Sequence, residues 1–119
     1  MLLEKCYENL KGDYSEIKKR LLRDEVIEKF LLKFPNDKTM ENLRKAVLNQ
    51  NIEESFREAH TLKGLSANLG FTNLTNALSP ITEQLRSGTC QADKKLFTDV
   101  EKAYQRIIDT LEIYVKEKQ

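Results

Sequence analysis

The sequence of 119 residues contains no tryptophan and few of the residues that interrupt helices, with four glycines and two prolines. It also lacks segments in which polar and apolar residues alternate with the period of two that a half-buried strand requires. These absences predict an all-α chain, and the length predicts one domain over residues 1–119. Apolar stretches of the roughly 20 residues needed to cross a membrane are absent too. The N-terminal segment carries Glu4 and Glu8, so we expect no secretory signal there.

The sequence also lacks an excess of charge of either sign, because it has 20 basic and 19 acidic residues. Such a balance lacks the basic footprint of a nucleic-acid-binding or membrane-surface protein. Cys6 and Cys90 are far apart in the sequence and there is one histidine, which is too little for an intrinsic zinc site. The two cysteines allow one disulfide, but we expect reduced thiols in a cytoplasmic protein. We therefore expect no metal and no cofactor, and neither nucleic acid nor membrane as a partner.

Helix start and stop signals divide the N-terminal part of the chain. Gly12 is expected to end a first helix, because glycine accepts the left-handed helix-stop conformation. Asp13, with an acidic residue three positions later, forms a capping-box pattern that opens a second helix. Asp24 is expected to restart the apolar pattern, and Pro35 to interrupt it.

Four longer amphipathic segments follow, each bounded by a cap such as Asp37 or Asn51 or by a glycine. The predicted bundle helices cover about residues 38–49, 52–69, 73–87 and 92–117, after N-terminal helices over about residues 2–34. Connections of two to four residues between long helices imply antiparallel neighbours. The predicted fold is an up-down-up-down four-helix bundle with the N-terminal helices packed across it or extending it. Pro80 falls inside the third bundle helix and is expected to kink it.

His60 is the single histidine, and it lies in the second bundle helix. At about 100° per residue, the apolar side of that helix contains Ala59, Leu62, Ser66 and Leu69, and His60 points to solvent. The same projection places four residues within about 60° of the imidazole: Phe56, Lys63, Gly64 and Ala67. An exposed imidazole beside a cation and two residues with almost no side chain is the geometry of a site that another protein must reach.

This arrangement suits a phosphoryl carrier, which requires a nucleophile that is partly neutral near pH 7. Imidazole meets that condition, since its ordinary pKa is about 6.5. Lys63 adds positive charge where phosphoryl oxygens would gather. Gly64 costs roughly 1 kcal/mol relative to alanine in mid-helix, which indicates that something must approach closely there. The alternative to this interpretation is that the histidine and the lysine are ordinary solvent-exposed side chains of the helix. The alternative for the glycine is that it allows tight packing against a neighbouring helix.

Other candidates on this helix have simpler interpretations. Phe56 belongs either to the edge of the core or to a docking surface. Glu53 and Arg57 are one turn apart and are expected to form an exposed ion pair. Ser55 and Ser66 lie on the buried side, where we expect their hydroxyls to bond to the helix backbone. The sequence has no G-x-x-x-x-G-K-[ST] motif and no carboxylate cluster, so we expect no phosphorylation from ATP by the chain itself.

The segment HTLKGLSANLG closely resembles the signature of histidine-containing phosphotransfer (HPt) domains, in which His-x-x-Lys-Gly is followed by glycine ten residues after the histidine. The matching positions are His60, Lys63, Gly64 and Gly70, with the small pair Ser66–Ala67 between them. The flanking segments REAH, FTNLTNALSPITEQLR and DEVIEKFLLKF are also similar, so the resemblance extends from about residue 13 onward. The family fold is a four-helix bundle, in agreement with the loop lengths.

The resemblance implies that His60 is phosphorylated on Nε2, with the phosphoryl group accepted from a receiver-domain aspartyl phosphate and passed to another receiver. It implies that Lys63 balances phosphoryl charge and that Gly64 leaves room for the receiver's active-site loop. Partner docking is assigned to Gly64, Ala67, Phe56 and Arg57. Since Mg²⁺ and the catalytic groups belong to the receiver, the chain would be a carrier rather than an enzyme. The implied partners are receiver domains and a hybrid histidine kinase, with the chain itself a monomer.

The following helix departs from the family pattern, which often places Gln, Glu or Lys near the site. This chain has Pro80, Ile81 and Thr82 there, and Glu83, Gln84 and Arg86 are the possible substitutes.

Two other functions stay open. One is a helical docking module that inhibits a receiver or kinase without lasting phosphorylation, although such a binder would not need His60. The other is the excised substrate domain of a chemotaxis-type kinase. Met1 and the charged end VKEKQ favour a free-standing protein.

Overall fold

A computed structural model of the protein describes residues 2–89 and 91–118, so Met1, Cys90 and Gln119 lie outside the described residues. These residues form seven α-helices and one 3-10 turn without a strand, which confirms the all-α prediction. The elements are α1 (Leu3–Leu10), α2 (Tyr14–Leu21), α3 (Asp24–Lys33), the 3-10 turn (Phe34–Asn36), α4 (Thr39–Leu48), α5 (Ile52–Asn68), α6 (Thr72–Arg86) and α7 (Lys94–Lys118). None of the helices in residues 2–89 and 91–118 has the length and hydropathy needed to cross a membrane.

Helices α4 to α7 form the helical bundle. Helix α5 packs against α4 and α6, α6 packs against α7, and α1 lies along α7. Short loops at residues 49–51 and 69–71 reverse the chain, so consecutive helices run antiparallel. The connection from α6 to α7, residues 87–93, is longer than the two to four residues expected from the sequence.

An ion pair closes the bundle between α4 and α7. The Arg44 guanidinium binds the Glu101 carboxylate through two atoms, with Nη2–Oε1 at 2.8 Å and Nε–Oε2 at 2.9 Å. The same guanidinium lies over the Tyr104 ring, 5.3 Å from its centre. A planar cation can make both contacts at once, which an ammonium group cannot.

Two predicted helix caps are confirmed by hydrogen bonds. The Asp13 carboxylate accepts the backbone N–H of Glu16 at 3.0 Å at the start of α2. The Asn51 side chain accepts the backbone N–H of Glu54 at 3.0 Å at the start of α5, the helix that carries His60. Each cap satisfies one of the amide groups that the first turn of a helix leaves without an intrahelical partner.

The helix start expected at Asp24 is confirmed, because α3 begins at that residue. The residue before α3 is Arg23, which makes no capping hydrogen bond with its side chain. The Asp24 carboxylate instead accepts hydrogen bonds from the Tyr14 hydroxyl at 2.7 Å and from Lys18 Nζ at 2.8 Å. Asp24 therefore ties α3 to α2. The interruption expected at Pro35 is confirmed, because α3 ends two residues earlier and gives way to the 3-10 turn.

The first helix ends about where expected, but the left-handed stop expected at Gly12 is wrong. Lys11 takes the left-handed conformation at the end of α1, with a φ of 57°. Gly12 lies instead against the loop after α5, where an added Cβ would come within 2.6 Å of the Gly70 carbonyl oxygen. A close approach of two backbone segments, rather than a helix stop, explains the glycine.

The N-terminal helices hold the C-terminal end of α5. Arg20 Nη2 donates to the carbonyl oxygens of Ala67 and Asn68, each at 3.1 Å. The Tyr7 hydroxyl donates to the Leu69 carbonyl at 2.7 Å. Carbonyl groups in the last turn of a helix have no intrahelical partner, so these donors satisfy them. The helix that carries His60 is thus fixed at its C-terminal end by α1 and α2.

Cys6 is a wholly buried thiol of α1. Burial raises its pKa to about 11. The thiol therefore stays protonated at neutral pH, which makes it a poor nucleophile.

Candidate functional site

His60 is exposed on α5, while Ala59 and Leu62 beside it are buried. Ser66 and Leu69, further along the same side, are buried too. The helical projection of the sequence therefore gives the buried side of α5 correctly. Because that side is locked into the bundle, the imidazole projects from a rigid helix rather than from a loop.

The His60 ring stacks on Phe56. The two ring centres are 5.8 Å apart and the ring planes are inclined by 21°. Phe56 is half-buried and packs against the apolar core, so it lies at the core edge. Among the described residues the imidazole makes no hydrogen bond, and the ring that it contacts is that of Phe56.

Arg86 completes this stack from the neighbouring helix. Its guanidinium lies over the Phe56 ring, 5.2 Å from the ring centre. It also binds the Glu83 carboxylate one turn earlier on α6, with Nε–Oε2 at 3.2 Å. From the sequence, Arg86 was one of three residues that could replace the polar side chain that the family often places near the site. The antiparallel course of α5 and α6 brings Arg86 to the same end of the helix pair as Phe56. The sequence alone does not set their pairing, since Phe56 lies 13 residues before the 69–71 loop and Arg86 lies 15 residues after it.

Lys63 lies one turn after His60 and is half-buried. No hydrogen bond or ion pair joins its ammonium group to any other described residue. Arg57, one turn before His60, differs in this respect. It forms the expected pair with Glu53 at 3.4 Å and a closer one with Glu54 at 2.7 Å. Lys63 is thus the cation beside His60 whose charge no contacting carboxylate compensates.

Gly64 and Ala67 are exposed and continue the surface beyond the imidazole. A Cβ added to Gly64 would meet no atom within 4 Å. The alternative that this glycine allows tight packing against a neighbouring helix therefore has no support in the structure. The surface next to His60 is open to an approaching partner.

The two serines of α5 lie on its inner side. Ser55 and Ser66 are both buried. The Ser66 hydroxyl donates to the Lys63 carbonyl at 2.9 Å and shares a hydrogen bond with the Thr75 hydroxyl at 2.8 Å. The backbone bond expected for Ser66 is confirmed. A buried hydroxyl with both partners inside the bundle cannot reach an external phosphoryl donor.

Helix α6 lacks a free polar side chain at the positions where the family often has one. Ile81 and Thr82 are buried, and the Thr82 hydroxyl donates to the Leu78 carbonyl at 2.7 Å. Pro80 is exposed, and α6 runs unbroken through it. Gln84 accepts the backbone N–H of Asp93 at 2.8 Å and so serves the α6–α7 connection.

Gly70 ends the motif after α5. Its φ of 74° lies in the left-handed region, which confirms the predicted stop after the helix. Its carbonyl accepts the backbone N–H of Asp13 at 2.9 Å. The last glycine of the motif is therefore structural, and it lies at the opposite end of α5 from the cap at Asn51.

The structure thus combines a four-helix bundle with one exposed histidine, which lies beside a lysine and a bare stretch of helix. This combination is typical of histidine phosphotransfer modules. A family model described as Hpt domain matches residues 25–110. The chain belongs to the Hpt domain family, and the resemblance seen in its sequence is confirmed. A search of curated proteins and a search of solved structures each gave no match. Hpt domains are histidine phosphotransfer carriers of phosphorelays and interact with receiver domains and kinases.

Proposed function

We propose that this chain carries a phosphoryl group in a multistep His–Asp phosphorelay. His60 accepts the group from an aspartyl phosphate on one receiver domain and passes it to another. The observation that carries the proposal is the exposed His60 imidazole, free of hydrogen bonds to the described residues and flanked by the uncompensated charge of Lys63. The open surface at Gly64 supports it, because a receiver's active site must come close to the ring.

The transfer step requires little of the chain beyond the nucleophile. The Nε2 lone pair of the neutral ring attacks phosphorus, the bond from phosphorus to the aspartyl oxygen breaks, and its electron pair leaves with the carboxylate. The proton stays on Nδ1, so the product is a phosphoimidazolium. The reverse step delivers the group to a second receiver. Mg²⁺ and the aspartate belong to the receiver, so this chain acts as a carrier.

Lys63 compensates phosphoryl charge in this proposal. A lysine ammonium group presents three donors to oxygens that gain negative charge during transfer. Its long side chain starts one turn from the histidine on the same side of α5, within reach of a group bound to the ring. The lack of a carboxylate partner supports this role, because the ammonium group need not break an ion pair to engage the phosphoryl oxygens.

The docking surface in this proposal comprises Gly64, Ala67, Phe56 and Arg57. The first two provide bare helix, Phe56 provides apolar area at the core edge, and Arg57 provides a charge partly offset by Glu53 and Glu54. The partners are receiver domains and a hybrid histidine kinase. A cytoplasmic location and a monomeric state are part of the same proposal.

Phosphorylation by charged receivers tests the proposal. Candidate receivers are phosphorylated with acetyl phosphate, separated from the donor and mixed with wild type or with His60→Gln. We expect phosphate to move to wild type alone, and the product to be labile in acid and stable in base, as a phosphoramidate is. Acid-stable phosphate, or equal labelling of His60→Gln, would remove His60 from the mechanism. A chain that binds receivers tightly without accepting phosphate would instead be the inhibitory docking module.

A further inference from the structure

The orientation of the His60 ring depends on a contact two side chains away. An exposed imidazole without a hydrogen bond can rotate about its side-chain torsions, and only some orientations direct Nε2 toward an incoming phosphoryl group. In this chain the His60 ring stacks on Phe56, with the ring centres 5.8 Å apart and the ring planes inclined by 21°, and this contact restricts the rotation. The orientation of His60 therefore depends on what holds Phe56.

Phe56 is held by two different contacts. Its side chain packs against the apolar core, and the Arg86 guanidinium lies over the ring, 5.2 Å from the ring centre. A ring that is only half-buried keeps some freedom, and a cation over the ring removes part of it.

Arg86 is itself anchored. Its Nε and Nη2 lie 3.2–3.3 Å from the Glu83 carboxylate oxygens, and it occupies the last turn of α6, where a cation is favourable. The planar guanidinium can bind the carboxylate with its edge and cover the ring with its face. Glu83, Arg86, Phe56 and His60 thus form a continuous series of contacts from α6 to the imidazole.

From this series we infer that Arg86 is a positioning residue for phosphoryl transfer: by covering Phe56 it holds the ring on which His60 stacks, and so it presets the direction of Nε2. The inference rests on the proposed function of His60. Arg86 touches neither the imidazole nor the phosphoryl group in this assignment. It acts through Phe56.

The first measurement needs no receiver. His60 is the single histidine, so its imidazole proton signals in an NMR spectrum are assigned without ambiguity. Stacking on Phe56 shifts these signals upfield and gives nuclear Overhauser contacts between the two rings. We expect Arg86→Gln to reduce both effects. Lys102→Gln removes one positive charge from an exposed position on α7 and should leave both unchanged. An unaltered His60 spectrum in Arg86→Gln would overturn the inference.

The second measurement is the rate of transfer from a phosphorylated receiver. At saturating receiver, Arg86→Gln should be slower by about two- to fivefold, the factor that corresponds to the free energy of an exposed cation–π contact. The receiver concentration giving half the maximal rate should stay the same, since Arg86 is not a docking residue here. Melting curves confirm that the variants compared are folded.

A double-mutant cycle decides whether the effect passes through Phe56. Phe56→Leu removes the ring, so Arg86→Gln should cause no further loss in that background. Losses that multiply would show that Arg86 acts by another route and would overturn the inference. If wild type takes no phosphate from any receiver, the proposed function fails and the inference fails with it. If wild type transfers normally and Arg86→Gln matches it, only the inference fails.

Discussion

The backbone N–H of Asp13 donates to the carbonyl of Gly70 at 2.9 Å, joining the start of α2 to the end of the helix that carries His60. Gly70 has a left-handed φ of 74°, and an added Cβ would lie 3.2 Å from the Asp13 carbonyl oxygen. Two separate reasons, a backbone conformation and a close approach, thus require glycine at the last position of the motif.

Gly70→Ala should lower the free energy of unfolding by about 1–3 kcal/mol, because it combines a strained φ with a crowded Cβ. Gly88→Ala is a matched control, since Gly88 has a φ of 71° and its Cβ would meet nothing within 4 Å. Its loss should be smaller, about 1 kcal/mol, from the φ alone. Chemical unfolding of both variants gives the comparison. Equal losses would mean that the contact with Asp13 contributes nothing.

Gly64 should show stability and transfer changing in opposite directions. Gly64→Ala replaces a mid-helix glycine, and the added methyl group would lie in open space. This change should raise the free energy of unfolding by about 0.5–1 kcal/mol. Gly64→Gln should gain part of that stability but place a long side chain where the receiver must come, so transfer should fall sharply. Thermal melting and receiver-dependent phosphorylation are measured on both. A Gly64→Gln protein that melts below wild type and transfers normally would assign the glycine to internal packing.

Lys63→Ala should slow phosphoryl transfer and shorten the life of the phosphohistidine, each by about tenfold, the factor of one charge-assisted hydrogen bond. Binding of the unphosphorylated receiver should change little. Lys102→Ala removes an ammonium group from an exposed position on α7 and serves as the control. The decay of isolated phosphoprotein is followed by acid-labile phosphate. Identical lifetimes in wild type and Lys63→Ala would reduce Lys63 to a solvated surface residue.

His60→Gln should remove phosphoryl acceptance while changing the free energy of unfolding by no more than about 0.5 kcal/mol, because the imidazole is exposed and lacks hydrogen bonds to the described residues. Circular dichroism and melting measure the second effect. A large loss of stability would mean that the stack on Phe56 supports the fold as well as the ring orientation.

The pH dependence of stability should reveal the link between α3 and the end of α7. Glu28 accepts hydrogen bonds from Lys118 Nζ and the Tyr114 hydroxyl, each at 2.6 Å. Lys118 first, and then Tyr114, hold the pKa of Glu28 below its ordinary 4.5. The folded protein therefore binds the Glu28 proton less readily than the unfolded chain. This contribution to stability is complete above pH 4.5 and is lost as the pH falls through the folded pKa.

The same cluster also contributes stability that is lost as the pH rises into the alkaline range. Burial, and then the hydrogen bond to Glu28, raises the pKa of Tyr114 from 10.0 to about 12. Its contribution is complete below pH 10.0 and is lost as the pH rises toward about 12. Glu28→Gln should flatten the acid side of the stability profile and Tyr114→Phe the alkaline side. Glu25→Gln, an exposed carboxylate on α3, should alter neither. Urea unfolding across this pH range measures all three, and unchanged profiles would contradict the assignment.

The features that depend on one helix at a time were predictable from the sequence. Helical periodicity places His60 outside and Leu62 inside, and the caps at Asp13 and Asn51 follow from local hydrogen-bonding patterns. All of these depend on residues within about one turn of each other. The position of the candidate site, and most of its neighbours on α5, therefore follow from the amino-acid sequence alone.

The features that join separate segments were not predictable in this way. Gly12 reads as a helix stop, but the structure uses its missing side chain for the contact with Gly70 and gives the left-handed position to Lys11. Arg86 over Phe56 depends on how far α6 advances along α5. Such details are set by packing between helices, which outweighs the local preference of a single residue.

The tie between Glu28 and Lys118 also bears on the order of folding. It spans most of the sequence, as does the bond from Arg106 Nε to the Asn9 carbonyl at 2.9 Å. Helices α5 and α6 are neighbours in sequence and can pair early, whereas closing a long loop costs more entropy. During synthesis the contacts that α1 and α3 make with α7 must therefore wait for α7, and the apolar surface that α7 covers stays exposed until it emerges. Destabilising α7 should consequently lower the yield of folded protein more than an equal loss of stability in α5.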